Sequence, residues 1–327
     1  MNHDTTQGPA APAVGAGDLG PVVAGVDGSV QARSAALWAA AEADRRRRPL
    51  HLVHASGTDN RALYASVETI EKAREAGRDL LAETAELVEE RFPDLAVTKE
   101  YSSREAVTAL REAAGADGTI VVGSRGLGGF GALLLGSVGL GVAARAKVPV
   151  IVVRGGDERP GDGAVVAAVR GSDDLPWARY AAREAEARKA ELRLLTVWAP
   201  LAHVGTAAVL LDDIDGVARD RVRETGRLAE TLRAEFPGLT VTTEVEGSRS
   251  VPGLLVEASH HAGLLVLGAH RPPFGIGRSL GHVTHAVLHH AHCPVAIVPR
   301  ASADTEEGTP GEAVGGTAGA TPREGEE

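Results

Sequence analysis

Aromatic residues and cysteine are both scarce in this chain of 327 residues. Four Phe, three Tyr and three Trp make up only 3% of it, so few rings are available for stacking on bases, and an oligonucleotide-binding surface is not expected. The single cysteine, Cys293, cannot form an internal disulfide or a thiol-based metal site. This usage is typical of the reducing cytoplasm, so we expect a cytoplasmic protein without a disulfide framework.

An excess of positive charge is also missing. The chain has 34 basic and 44 acidic residues and a net charge of −10, which repels nucleic acid and anionic membranes. The N-terminus has no basic start followed by an apolar run, and the longest uncharged stretch, 126–144, contains seven glycines. We therefore predict no nucleic-acid partner and no membrane association, which leaves a small ligand or another protein.

What the chain does have is a regular alternation of strand and helix patterns. Short apolar, β-branched runs predict strands at 21–26, 50–55, 95–101, 118–123 and 148–153. Amphipathic stretches predict helices at 31–48, 66–92, 103–115 and 137–146. An alternating β-α order predicts an α/β fold with a parallel sheet and helices on both faces.

The pattern then repeats. GAVVAAVRGS (163–172) matches PVVAGVDGS (21–29), and HCPVAIVPR (292–300) matches KVPVIVVR (147–154). This repeat predicts two copies of one domain, 20–154 and 163–300, joined by a linker at 155–162. Residues 1–19 and 301–327 are rich in Gly, Pro, Thr and Glu, so we expect both ends to be disordered. The apolar closing strands, 148–153 and 293–298, offer edges that are predicted to pair antiparallel and join the copies.

A glycine-rich segment after the fourth strand is the main functional signal. It reads Gly-x-x-Gly, nine residues, Gly-Ser over 123–137, and Arg125 is its fixed positive charge. Glycine lets backbone approach a phosphate closely, and the helix that begins near Ser137 favours an anion through its dipole and free amides. Ser137 is expected to act as the helix N-cap or as a hydroxyl donor to phosphate. The segment thus predicts a phosphate-binding loop.

Two other phosphate motifs do not fit. The pattern Gly126-x-Gly128-x-x-Gly131 satisfies the dinucleotide spacing, but it follows the fourth strand and lacks an acidic residue about twenty positions on. A GxxxxGK[ST] motif does not occur in the sequence. A Rossmann-type site and a Walker-type site are therefore disfavoured.

With its duplicated βα order, its Asp-Gly-Ser opening and this glycine spacing, the sequence resembles the universal stress protein family in its tandem two-domain form, over about 20–300. The resemblance implies two flavodoxin-like domains (adenine nucleotide alpha hydrolase-like), each a five-stranded parallel sheet of order 3-2-1-4-5. It also implies ATP as ligand, with Mg²⁺ as an optional companion. The residues that it would place around the nucleotide are Gly25, Val26, Asp27 and Val53 near adenosine, and Gly123, Ser124, Arg125, Gly126, Gly136, Ser137, Val138 and Gly139 near ribose and phosphates.

The second copy departs from this motif. Arg170 stands at the position of Asp27, Arg271 replaces the second loop glycine, and His282 replaces the serine. An arginine in place of a closely packed glycine should obstruct the phosphate path, although its charge offers another way to bind an anion. We expect one ATP per chain, in the first copy, with the second copy as a pseudo-subunit.

The function implied is an ATP-binding regulator of the stress response that works through conformational or partner-binding change. The alternatives are a slow ATPase or a protein that phosphorylates itself on Ser124 or Ser137, and a nucleotide-free interaction scaffold. No catalytic residue is assigned, protein partners are unknown, and a homodimer is left open.

Three further patterns are interpreted as structural. His282, His285 and His289 share a helix face and are a weak zinc or copper motif that is better explained as a polar face. The basic run 45–48 is interpreted as cations that complement a helix C-terminus. Three isolated tryptophans are expected in the core: Trp38, Trp177 and Trp198.

Overall fold

The computed structural model describes residues 20–61, 65–126, 135–154, 163–204, 207–210, 214–269 and 280–299. The predictions for the two ends, 1–19 and 301–327, and for the linker 155–162 fall outside these ranges.

The first half contains five strands and four helices among its described residues. They are β1 (Val22–Gly25), α1 (Val30–Arg45), β2 (Leu50–Ala55), α2 (Val67–Arg91), β3 (Val97–Ser102), α3 (Ala106–Ala114), β4 (Thr119–Gly123), α4 (Ser137–Arg145) and β5 (Val150–Val153). Most bounds lie within two or three residues of the predicted ones. Helix α1 ends earlier than predicted, because Arg47 adopts a left-handed backbone (φ 52°) and Pro49 follows.

The second half repeats this order with one addition. Its elements are β6 (Ala164–Ala168), α5 (Leu175–Arg188), β7 (Leu192–Trp198), β8 (Leu201–Val204), β9 (Ala207–Leu210), α6 (Ile214–Glu235), β10 (Val241–Gly247), α7 (Val251–Ala258), β11 (Ala262–Gly268), α8 (His282–His290) and β12 (Val295–Val298). Strands β8 and β9 form a separate antiparallel hairpin. The repeat did not predict this hairpin, since the first half has no counterpart among its described residues.

The ten main strands form one continuous sheet in the order β3-β2-β1-β4-β5-β12-β11-β6-β7-β10. Each half therefore has the predicted order 3-2-1-4-5, with parallel pairing inside the half. The halves meet where β5 and β12 pair antiparallel, with Val152 opposite Val295 and Val150 opposite Ile297. The closing strands thus join the two copies edge to edge, as their apolar sequences indicated.

Helices cover both faces of this sheet, and each face has a core that runs through both halves. Helices α1, α2, α5 and α6 pack on one face, and α3, α4, α7 and α8 pack on the other. Alanine, valine and leucine dominate both cores. Trp38 and Trp177 are buried as expected, whereas Trp198 is only half-buried at the end of β7.

A buried cluster of charges joins α1 of the first half to α5 of the second. Glu42 pairs with Arg46, the C-cap of its own helix (2.5 Å), and with Arg188 across the interface (2.7 Å). Glu184 pairs with Arg188 on its own helix and with Arg46 across the interface. The carboxylate side chains are only 2% and 1% exposed. We call these four residues the Glu–Arg cluster; its members occupy matching positions in the two repeats.

Aromatic rings extend the same symmetry. The Arg188 guanidinium lies 5.5 Å from the ring centre of Trp38, and that of Arg46 lies 6.0 Å from the ring of Tyr180. Burial raises the pKa of a carboxyl group, but Arg188 and Arg46 outweigh burial and lower the pKa of Glu184 to about 2. Burial, and then the Glu184 carboxylate, raise the pKa of Glu42. The two carboxyl groups therefore ionise as a coupled pair, Glu184 first.

The basic run 45–48 was interpreted as a set of helix-terminal cations, and this interpretation is wrong for two of its members. Arg46 belongs to the Glu–Arg cluster. Arg48 is buried and donates to the carbonyl oxygens of Gly20 (2.6 Å) and Pro21 (3.1 Å), and to the hydroxyl of Thr119 (3.1 Å). Both guanidiniums hold separate chain segments together, because a buried charge needs partners on every side.

Removing one cation from the Glu–Arg cluster should be strongly destabilising. Arg188→Ala leaves two buried carboxylates short of a partner, and we expect the free energy of unfolding to fall by about 3–5 kcal/mol. Arg223→Ala is the matched control, since Arg223 pairs with Asp220 in the open and should contribute under about 1 kcal/mol. Urea unfolding followed by circular dichroism measures both. Equal losses would contradict a buried, coupled cluster.

Cys293 should be inert in the folded protein. It lies just before β12, 4% exposed, and burial raises the pKa of its thiol to about 12, only partly offset by hydrogen bonds from the backbone of Leu265 and of Cys293 itself. Since the thiolate is the reactive form, iodoacetamide at about pH 8 should leave the native chain unmodified. Mass spectrometry after incubation with and without urea tests this. Stoichiometric labelling of the native chain would show that the strand opens.

Candidate functional site

The site lies at the carboxyl edge of the first half of the sheet. Strand β1 is flanked there by β2 on one side and β4 on the other, so the chain leaves the sheet in opposite directions from neighbouring strands. Ligands of open α/β sheets bind in the crevice that this reversal creates. The segments after β1 and β4, which carry most of the predicted site residues, therefore meet at one place.

The turn between β1 and α1 is held by a small hydrogen-bond set. Oδ1 of Asp27 accepts from the amide of Ser29 (3.0 Å) and from its hydroxyl (2.6 Å). The Ser29 side chain in turn caps α1 by accepting from the amide of Ala32 (3.1 Å). Gly28 has φ 85°, a conformation that favours glycine. The Asp-Gly-Ser sequence thus fixes where the Asp27 carboxylate points.

That carboxylate lies directly against Gly126. A Cβ added to Gly126 would stand 2.3 Å from Oδ2 of Asp27, so a larger residue there must displace the acid. The two ends of the loop also approach each other: a Cβ on Gly136 would lie 3.7 Å from the amide nitrogen of Gly126. The amide of Gly136 donates to the carbonyl of Ser124 (2.8 Å), and the Ser29 hydroxyl lies 3.4 Å from the carbonyl of Arg125. Asp27, Gly126 and Gly136 therefore surround one point; residues 127–134, between the loop ends, lie outside the described ranges.

Gly123 has a packing reason to be glycine. A Cβ there would stand 2.8 Å from the carbonyl carbon and oxygen of Gln31, in the first turn of α1. Gly25, one strand away, faces the Leu110 side chain at 3.2 Å by the same measure. Ser124 is 5% exposed, and its amide donates to the carbonyl of Val153 (2.8 Å). These residues pack beneath the site and support it; we call them the floor of the site.

Helix α4 begins at the site. Its N-cap is Gly136, in extended conformation, and among the described residues no side chain caps it. Ser137 is the first helical residue, so the prediction that it serves as N-cap is wrong, and its exposed hydroxyl is left as a donor. Val138 is also exposed, whereas Gly139 is buried against Leu135. First-turn amides with no capping side chain attract an anion.

The opposite end of the site is formed by β2. Val53 is buried, and its carbonyl accepts from the amide of Val26 (2.9 Å), so that carbonyl belongs to the sheet ladder. His54 follows it, and Nδ1–H of His54 donates to the carbonyl of Val26 (2.8 Å). The His54 ring centre lies 6.0 Å from that of Tyr101 on β3. A ring and a backbone edge thus border the place where the resemblance puts the base.

Two arginines add positive charge to this edge of the sheet. Arg125 follows β4, and Arg154 follows the neighbouring strand β5. Burial, and then the nearby Arg125 cation, lower the pKa of Arg154. Arg154 donates to the carbonyl of Ala291 (2.6 Å) and to that of His289 (2.5 Å), at the C-terminus of α8 in the other half. The charge beside the site is therefore connected to the second half.

The corresponding edge of the second half is built differently. The amide of Arg170 donates to Oδ2 of Asp174 (2.7 Å), and the two side chains form an ion pair at 3.4 Å. The indole of Trp177 packs on Gly268, where an added Cβ would stand 2.6 Å from the ring, and its Nε1–H donates to the carbonyl of Ala168 (3.0 Å). Gly268 matches Gly123 in the repeat, but here it makes room for an aromatic ring. Arg271 lies outside the described residues.

The histidine face of α8 is present in the structure. The rings of His285 and His289 lie 4.4 Å apart between centres, and His282 is exposed at the start of the helix. Within the part of the chain that the structure describes, no three His, Cys, Asp or Glu side chains converge in a way that could hold a metal ion.

The sequence predicted site residues that lie around the carboxyl edge of the first half of the sheet, but it did not predict three further residues at that edge. Ser29 aims Asp27, His54 borders the β2 end, and Arg154 connects the edge to α8. The serine was visible in the Asp-Gly-Ser opening, since a serine before an amphipathic stretch is a capping signal. The other two roles depend on contacts between distant parts of the chain.

Comparison with known proteins gives consistent matches along the chain. The model of the universal stress protein family matches residues 19–154 and again 164–299. A universal stress protein of Mycolicibacterium smegmatis is 30% identical over 300 residues, which is 85% of this chain and 96% of its own length. One from Mycobacterium tuberculosis is 32% identical over 290 residues, 84% and 96% of the two chains.

A solved structure has the same architecture. The crystal structure of a universal stress protein from Archaeoglobus fulgidus superposes with a TM-score of 0.62 at 19% identity, covering 86% of this chain and 98% of that one. Searching the described helices for one long and apolar enough to cross a bilayer finds none.

The close approach of Gly123 to α1 predicts a stability effect. Gly123→Ala places a methyl group against rigid backbone of Gln31, and we expect overpacking to cost about 1–3 kcal/mol of unfolding free energy. Gly226→Ala is the control, because Gly226 lies within α6 with nothing within 4 Å of its added Cβ, and should stabilise by about 0.5–1 kcal/mol. Thermal unfolding of both variants gives the comparison. A neutral Gly123→Ala would show that the turn relaxes freely.

Proposed function

The chain belongs to the universal stress protein family, and from that premise we propose that its first half binds ATP and acts as a nucleotide-dependent regulator of the stress response. The observation that carries the proposal is the convergence of Asp27, Gly126 and Gly136 beside the uncapped first turn of α4. A ligand with both a ribose and a chain of phosphates fits such a place, because it can present hydroxyls to an acid and anionic oxygens to free amides.

The residues present fit a nucleotide. Glycine at 126 and 136 leaves backbone accessible where a Cβ would fill the space, and successive amides with Arg125 supply positive potential for phosphate. We assign the Asp27 carboxylate to the adenosine end and Ser137, Val138 and Gly139 to the phosphates. Gly25, Val26, Gly123 and Ser124 form the floor, and Val53 lies under the base. A magnesium ion, if bound, would be held mainly by the phosphate oxygens of the nucleotide.

Regulation would follow from how the site is connected. Phosphates that neutralise Arg125 change the field on Arg154, whose guanidinium holds the C-terminus of α8 in the other half. Nucleotide occupancy therefore acts on a contact between the halves as well as on the loop that borders the site. A partner that recognises this side of the molecule would distinguish the bound from the free state.

Autophosphorylation is a second candidate, and the exposure of the two serines separates its versions. Ser137 is exposed at the start of α4, whereas Ser124 is buried and would have to leave its packing to react. If the chain modifies itself, Ser137 is the acceptor. Single-turnover assays with labelled ATP test this hypothesis by comparing Ser137→Ala with Ser124→Ala. Transfer of label to the natural chain and to Ser124→Ala, but not to Ser137→Ala, would support it. If the natural chain takes up no label, autophosphorylation is contradicted and nucleotide binding is the function that is left.

One ATP should bind per chain, and it should depend on the first half. Gly126→Ala pushes a methyl group onto the Asp27 carboxylate, so we expect at least about tenfold weaker binding by calorimetry. Asp27→Ala should weaken it as well. Arg170→Ala is the matched control, since Arg170 occupies the same repeat position in the second half and should leave ATP affinity unchanged.

Two results would contradict the proposal. Two equal ATP sites would mean that the second half binds ATP too. Unchanged ATP affinity in Asp27→Ala would mean that the Asp27 carboxylate does not contact the nucleotide. Mass spectrometry of nucleotide released from the purified protein distinguishes ATP from other nucleotides. A protein that neither copurifies with nucleotide nor binds added ATP would be the nucleotide-free scaffold.

A further inference from the structure

We propose that the second half has its own binding pocket, which takes a small apolar carboxylate instead of a nucleotide. The pocket lies at the carboxyl ends of β6, β7 and β11 and is closed on one side by the first turn of α8. Its volume is about 250 Å³. It occupies the position in the second half that the proposed ATP site occupies in the first, with Arg170 at the repeat position of Asp27.

The walls of this pocket are apolar. Aliphatic side chains from β7, β11, α7 and the residue after β6 line it together with one indole ring: Val169, Trp177, Leu195, Val197, Leu255 and Leu267. Surfaces of this kind favour an apolar or aromatic body, since burying it removes hydrocarbon from water. A triphosphate gains nothing from them.

Trp177 reduces the space available. Its ring packs on Gly268 and is fixed by the hydrogen bond to Ala168, so it is part of the wall and not a mobile lid. The matching part of α1 has small residues, Ser34 and Ala35, beneath the first site. A pocket of this volume is below the roughly 300–1,000 Å³ of drug-sized ligands, so its ligand is smaller than a nucleotide.

The polar end of the pocket combines a guanidinium with a helix N-terminus. Arg170, 55% exposed, and His282 lie at this end, next to the first turn of α8, which no side chain caps among the described residues. Asp174 is the one acid among the described lining residues, and its side chain is buried. It accepts a hydrogen bond from the backbone amide of Arg170 and forms an ion pair with the Arg170 guanidinium. A single carboxylate on an apolar body matches this distribution of charge and surface.

Phenylacetate is a suitable probe, with phenylacetamide as its uncharged equivalent, and full-length protein is used throughout. Saturation-transfer NMR and calorimetry should detect phenylacetate, with weaker binding of the amide. Arg170→Gln removes a surface cation and leaves Asp174 facing the ligand, so phenylacetate affinity should fall about fivefold while that of phenylacetamide stays unchanged. Val197→Phe fills the pocket from the end of β7 and should abolish both.

The two sites can be separated by paired variants. Gly126→Ala should weaken ATP and leave phenylacetate unaffected, whereas Val197→Phe should do the reverse, with unfolding temperatures recorded to show that each variant folds. The proposal is overturned if phenylacetate does not bind, if ATP competes with it, or if the amide binds as well as the acid. If Val197→Phe does not fold, Arg170→Gln still decides, because its side chain is largely exposed.

Discussion

The Glu–Arg cluster is the contact on which the arrangement of the two halves depends. Four charges removed from water are tolerated only because each carboxylate meets at least two guanidiniums, and that geometry requires α1 and α5 to keep one distance and one register. Two apolar helix faces can shift past each other and stay in contact, whereas the Glu–Arg cluster pairs all of its charges in one relative position of the two helices. With α1 and α5 fixed on one face, β5 and β12 are held at hydrogen-bonding distance and the two sheets become one.

This constraint has a consequence for the ATP site proposed in the first half. Strand β5 lies between β4 and β12, so the edge that carries Arg125 is one strand away from the other half. Arg154 then reaches α8 from the end of β5. Occupancy of that site would be felt at the contact between halves through charge and backbone, without any change in the buried cluster. The Glu–Arg cluster and the contact of Arg154 with α8 lie on different sides of the same sheet.

Much of this could be predicted from the sequence, because strand periodicity and the repeat are local or self-similar signals. The glycine spacing identified the loop for the same reason, since close backbone approach restricts residue type at fixed positions. The Glu–Arg cluster could not be predicted: Arg46 and Glu184 are far apart in sequence, and a run of arginines at a helix end has a simpler local explanation. Trp177 was predicted as a core residue, and it is buried, but its role as a pocket wall depends on Gly268.

Gly123 and Gly268 show how the halves came to differ within one scaffold. Both glycines end the fourth strand of their half, and both would clash if given a side chain, but the first makes room for backbone of α1 and the second for an indole ring. Changing what packs on a glycine alters the site above it and leaves the strand order intact. The four residues of the Glu–Arg cluster are matched in both repeats, whereas Arg170 stands at the position of Asp27. The interface therefore constrains the halves to pair, and it leaves their carboxyl edges free to bind different molecules.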